Sequence, residues 1–232
     1  MAMSDDPTPG NPIAILKEKT VASQTRLDAL FLLVQDFQDA YYEILKGILE
    51  DTDDNAQVRS AVALTLGKVS GRIALEILTP HTKTENPIVR SYVLQALGMT
   101  GSEEAMPYLI AALKDEDNTV FGSASEAIST IGSPALPYLT ELLKTGAHDA
   151  KCIAAWNLGE IGEATSLPSL LETIRKQDES IEVIALSIWA LGQIGEYTNE
   201  VIETLSVATT HPEPEVRLRA DVALKKISLQ FN

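Results

Sequence analysis

Cysteine is almost missing from this chain. Cys152 is the one residue of its kind, so no intrachain disulfide can form and no cysteine-based zinc site is expected. Histidine is nearly as sparse, with His81, His148 and His211 falling in three separate turns. No His-x-x-x-His or Glu-His spacing accompanies them, so no metal is expected. Aromatic residues make up 5% of the chain, and no apolar run approaches the roughly 20 residues that cross a bilayer. Positive charge is also short: 18 Lys and Arg face 33 Asp and Glu, a net charge of −15. That field repels phosphate backbones and anionic membranes, which excludes nucleic acid and membrane insertion and favours solubility or a basic partner. The start, Met1 to Pro12, is polar, acidic and proline-rich, not basic then apolar, so a cytoplasmic protein without a signal peptide is expected. No Gly-x-Ser-x-Gly elbow, P-loop or dinucleotide fingerprint occurs, and no catalytic residue is assigned.

What the chain does have is a repeat. A phrase of thirteen residues opens as Val58-Arg59-Ser60-Ala61-Val62 and runs to Ser70. It returns at Val89, Val120, Ala150, Val183 and Val216, with starts 31, 31, 30, 33 and 33 residues apart. Periods of that length mean stacked supersecondary units, each too thin to bury a core alone. Apolar residues at three- and four-residue spacing run from Ile13 to Glu50 and predict about three helices there. Tyr41 to Glu50 reads as the first helix of the first clear repeat. Residues 13–40 read as a degenerate amino-terminal cap, and 1–12 as a disordered tail. Each later unit reads as helix, turn, helix, with Pro107, Pro137 and Pro168 in first turns, where a missing donor costs little. The expectation is an all-α chain: one right-handed α-solenoid over 13–232, with about six repeats from 41 to 228.

Columns of the phrase separate packing from chemistry. Numbered from zero, positions 0, 4, 7, 8 and 11 stay apolar or small, as a buried stripe requires. Position 8 reads Leu66, Leu97, Ile128, Leu158, Leu191, Leu224. Glycines at positions 9 and 12 are expected to end the helix in left-handed conformations. Arginines at position 1 (Arg59, Arg90, Arg217) suggest ion pairs, Arg59 with Asp53 or Asp54 and Arg90 with Glu85. Positions 2, 6 and 10 vary, and they share one helix face. Position 6 reads Leu64, Gln95, Glu126, Trp156, Trp189, Val222, so the two tryptophans stand side by side in adjacent repeats. Cys152 lies a turn before Trp156, and Glu160 and Gln193 lie a turn beyond the pair. Large rigid rings dominate binding hot spots, which makes Trp156, Trp189, Cys152, Glu160, Gln193, Tyr92, Gln95 and Glu126 the candidate partner-binding surface. The same rings can instead fill gaps in a helical core. Cys152 with His148 is the only nucleophile–base pair worth naming, placed where a helix dipole would favour a thiolate, and the reading set against it is a buried, inert cysteine.

The stretches from Val89-Arg90 to Leu97-Gly98 and from Ala155 to Leu158-Gly159-Glu160-Ile161-Gly162 resemble the HEAT-like repeats named after phycobilisome lyases. Their pattern is approximately Asp-x-x-Val-Arg-x-Ala-Ala-x-x-Ala-Leu-Gly-x-Ile-Gly. The likeness covers about Tyr41 to Ser228. Such repeats occur in many scaffolds without chemistry, and a fold does not name a function. The expectation is therefore a non-catalytic protein-interaction scaffold or assembly factor, without cofactor, binding a protein partner in a concave groove. The resemblance implies an alternative: a bilin lyase subunit or phycobiliprotein-handling chaperone, partnered by a phycobiliprotein or a second HEAT-like subunit, with Tyr92, Trp156 and Trp189 stacking a bilin.

Overall fold

The computed structural model describes residues 11–230, Ser70 and Gln177 excepted. Every regular element among them is helical. Two compact units divide the chain, residues 1–131 and 132–232, where the repeat alone suggested one uninterrupted array. The first holds α1 (Pro12–Lys17), α2 (Ser23–Gln35), α3 (Tyr41–Glu50), α4 (Ala56–Val69), α5 (Arg72–Leu78), α6 (Pro87–Met99), α7 (Met106–Ala112) and α8 (Asn118–Ile131). The second holds α9 (Leu136–Thr145), α10 (His148–Ile161), α11 (Leu167–Arg175), α12 (Ile181–Ile194), α13 (Asn199–Ala208) and α14 (Pro214–Gln230). The expected tail ends early, because Asn11 accepts from the Ile13 amide and caps α1 at Pro12; residues 1–10 lie outside the described residues.

Local chemistry sets the helix ends. Asn86 accepts from the amides of Ile88 and Val89, and Ser180 and Thr198 do the same for Val183 and Val201, satisfying donors that a helix start leaves free. At the other end Gly162 and Gly195 sit at φ 73° and 76° and donate to the carbonyls of Leu158 and Leu191, as position 12 of the phrase requires.

Position 9 does something else. Gly67, Gly98, Gly159 and Gly192 lie inside their helices and do not close them. A methyl group on Gly67 would meet the Ala96 backbone at 2.6 Å, one on Gly98 the Ala127 Cα at 2.7 Å, and one on Gly192 the Ala223 Cβ at 3.0 Å. Each position-9 glycine thus faces a position-7 alanine of the following repeat, and the second helices pass at backbone contact. In the first unit α4 packs on α6 and α6 on α8; in the second α10 packs on α12 and α12 on α14. Between them, Val58, Val62, Leu66, Val89, Leu97, Val183 and Leu191 are fully buried.

The arginine column is also reassigned. Arg59 donates Nε and Nη2 to the carbonyl of Leu49, at 3.0 and 2.9 Å, and so closes the preceding helix instead of reaching an aspartate. Arg217 likewise holds the carbonyls of His211 and Pro212. Arg26 shows that α1 and α2 are built on the same plan: its Nε reaches the carbonyl of Leu16, ten residues earlier, the same offset as Arg59 to Leu49. Ion pairs run from one repeat to the next, Arg26 to Asp54, Arg90 to Asp115 and Lys151 to Glu179. The Arg26–Asp54 pair is bidentate at 2.5 and 2.7 Å and buried.

Burial alone would push the Asp54 carboxyl up, but the Arg26 hydrogen bonds, the Asn55 amide and the guanidinium charge outweigh it and hold it below its ordinary value. Its contribution to stability is therefore fully present above the usual aspartate range and is lost as pH falls through the lowered value. Asp54→Asn, which strands a buried guanidinium, is expected to cost about 3–5 kcal/mol in urea unfolding at neutral pH, and to flatten the acid limb of the stability profile. In the same assay Gly98→Ala should cost about 1–3 kcal/mol by overpacking. Gly122→Ala, where nothing lies within 4 Å, should be neutral or stabilise by up to about 1 kcal/mol.

Candidate functional site

Chemistry gathers in the second unit, on the face that α10 and α12 share. His148 is the first residue of α10, not part of the preceding turn, and Cys152 follows one turn later on the same side. Glu182 comes from the first turn of α12. Because α10 and α12 pack side by side with their starts level, the three side chains converge. His148 Nε2 lies 3.1 Å from Glu182 Oε2 and 3.9 Å from Cys152 Sγ, and all three donor atoms lie within 4.8 Å of one another. Ligands on a tetrahedral zinc stand about 3.3–3.6 Å apart, given bonds of about 2.0–2.3 Å. Small side-chain movements would therefore close this cluster around an ion.

Cys152 is no activated nucleophile. Burial, with the charges of Glu182, Asp149 and Glu179, pushes its thiol up to about 11, overriding the helix dipole that the sequence suggested would favour a thiolate. Spacing within one helix also missed the cluster. Glu182 stands 34 residues from His148, in columns just before the phrase, where only the stacking of one repeat on the next makes them neighbours.

One turn beyond Cys152 the tryptophans meet as expected. The rings of Trp156 and Trp189 stack with centroids 4.3 Å apart and planes 4° from parallel. Trp156 is 42% exposed, and Trp189 is half-buried. Gly159 makes the arrangement possible, since a methyl group there would meet the Trp189 ring edge at 2.5 Å. Glu160 is exposed, and Gln193 accepts from the Lys226 ammonium. The remaining candidates belong to the first unit: Glu126 is exposed, Tyr92 is half-buried, and Gln95 donates to the Ser123 hydroxyl at 3.2 Å. That hydroxyl also bonds Ser91 at 2.6 Å, which ties Gln95 into α6–α8 packing.

Comparison with known proteins bears on both fold and function. The sequence signature of HEAT repeats matches residues 75–151 and 147–225. A deoxyhypusine hydroxylase of Aspergillus fumigatus is 26% identical over 244 residues, covering 96% of this chain and 70% of that protein. One from Phaeosphaeria nodorum is 25% identical over 264 residues, covering 96% and 77%. Among solved structures, the archaeal HEAT-like repeat protein of Thermococcus onnurineus aligns with a TM-score of 0.52 at 15% identity, covering 89% of this chain and 94% of that one. That likeness concerns the fold.

Two expectations are corrected by these findings. A non-catalytic scaffold, and its alternative of a bilin lyase subunit, give way because relatives spanning nearly the whole chain are named as hydroxylases, which are enzymes. The expected absence of a cofactor gives way with them: the reaction those relatives are named for is one that side chains alone do not provide, and in this chain His148, Cys152 and Glu182 form a group able to hold a metal ion. Among the described residues no helix is long and apolar enough to cross a membrane.

The tryptophan stack yields a test. Gly159→Ala is expected to displace the Trp189 ring and abolish the tryptophan signal in near-UV circular dichroism, with the far-UV helical signal retained. An unchanged near-UV spectrum would show that the rings do not depend on this close approach.

Proposed function

This chain belongs to the HEAT-repeat family, and on that premise we propose that it is a metal-dependent enzyme, its ion held by His148, Cys152 and Glu182 and its substrate a polypeptide side chain. The convergence of a thiol, an imidazole and a carboxylate from two adjacent helices carries this reading. The hydroxylase relatives support catalysis, but their oxygenation step does not transfer. Of the three histidines only His148 reaches the cluster, whereas dioxygen-activating iron is favoured by two imidazoles and one carboxylate. One sulfur, one nitrogen and one oxygen donor suit a thiophilic first-row ion such as zinc or cobalt, and do not suit magnesium or calcium.

Bound there, the ion would supply a Lewis acid with an open position. The protein's own part is positional. Helix packing fixes His148 and Cys152 one turn apart, and the Lys151–Glu179 pair, at 2.6 Å, links α10 to the turn that precedes α12. Next to the cluster the exposed Trp156 offers a flat apolar surface, on which the stem of a substrate side chain can lie. An open face of this kind suits a polypeptide, which brings its own bulk to exclude water.

Equilibrium dialysis against zinc followed by elemental analysis should find one ion per chain. His148→Ala, Cys152→Ser and Glu182→Gln should each weaken binding by about tenfold or more. Undiminished binding by the Cys152→Ser variant would contradict the assignment. Catalysis has a separate readout: a mass change on polypeptides of a cell extract, produced by the zinc-loaded protein and not by the triple variant. Its absence would reject the enzyme and leave the metal site standing.

A further inference from the structure

The tryptophan stack has a free side. Helix α12 lies between α10 and α14, and Trp156 covers Trp189 from the α10 side. On the α14 side a cleft of about 610 Å³ opens, bounded by Trp189, Leu218, Val222, Arg219, Lys226 and Glu215. That volume falls in the range of small-molecule sites, roughly 300–1,000 Å³. Its floor is closed where Gly192 meets Ala223. Leu218 and Val222 are 65% and 56% exposed, so the apolar wall is presented to the solvent and is not used for packing.

The position-6 column explains the opening. It places Trp156, Trp189 and Val222 in one row across three consecutive repeats, and the third member is too small to continue the stack. The rim is basic in a strongly acidic protein. Arg219 and Lys226 line it against the single carboxylate of Glu215, although the whole chain has a net charge of −15. Lys226 is held by the neutral amide of Gln193, and no carboxylate among the described residues pairs with it. Arg219 pairs loosely with the exposed Glu215 carboxylate, at 3.5 Å.

We propose that this cleft binds a small aromatic carboxylic acid, its ring laid on Trp189 as a third layer of the stack and its carboxylate held by Arg219 and Lys226. The site is separate from the metal cluster and does not depend on it. Offset ring stacking supplies the apolar part of recognition. The two cations supply selection for an anion, and Glu215 sets the side of the rim from which the carboxylate is excluded.

Calorimetric titration of the full chain with 2-naphthoate and with its neutral isostere naphthalene-2-carboxamide tests this directly. The acid is expected to bind at least tenfold more tightly. The double variant Arg219→Gln, Lys226→Gln should erase that preference while leaving amide binding unchanged. Val222→Trp, at an exposed position, should fill the cleft and abolish binding of both compounds with an unchanged thermal midpoint. Equal affinities for acid and amide, no measurable binding of the acid, or binding that survives Val222→Trp in a folded protein would each overturn the proposal.

Discussion

Backbone contact between consecutive second helices is the constraint from which the rest follows. Where Gly67 faces Ala96, Gly98 faces Ala127 and Gly192 faces Ala223, there is no room for a further methyl group at the glycine. Helices at that distance are locked in register, because sliding one past the other by a residue would drive a side chain into a backbone. Register then decides which side chains meet across repeats. Asp115 reaches Arg90 and Glu179 reaches Lys151 because the second helices start level with one another. A stripe of buried valines and leucines supplies the apolar drive, and the glycine–alanine contact supplies the alignment.

The same alignment builds the chemistry. His148 and Cys152 share a face by helix geometry, but Glu182 joins them only because α12 begins level with α10. Trp156 and Trp189 stack because Gly159 lets the second ring approach. Burial first, and then the acidic surroundings, raise the Cys152 thiol, and in such a setting a cation is welcome and an isolated thiolate is not. A thiol of this kind is a poor nucleophile and, once an ion displaces its proton, a strong ligand.

Much of this was legible in the residues, and the limits have physical causes. Helices, turns and the buried stripe were readable because 3.6-residue periodicity and capping chemistry are local, as Asn86 with Pro87 and Gly162 illustrate. The side-by-side tryptophans were readable because a fixed period carries position 6 onto position 6. Inside the helix, Gly98 was misread as a terminator, since a glycine's close approach to another backbone leaves no trace in its own neighbourhood. For Arg59 the sequence points to an aspartate because charge is visible in a sequence and an orphan helix-end carbonyl, that of Leu49, is not. Glu182 was overlooked for a related reason. Ligand spacing along one helix cannot show a third ligand that stacking delivers from the next repeat.

One sulfur, one imidazole nitrogen and one carboxylate oxygen from two neighbouring helices are proposed to share an ion. Extended X-ray absorption fine structure at the zinc edge, on zinc-loaded protein in solution, tests this most directly. A single sulfur scatterer is expected at about 2.3 Å with nitrogen and oxygen at about 2.0–2.2 Å, the sulfur shell vanishing in Cys152→Ser. A shell of nitrogen and oxygen alone in the unsubstituted protein would contradict it.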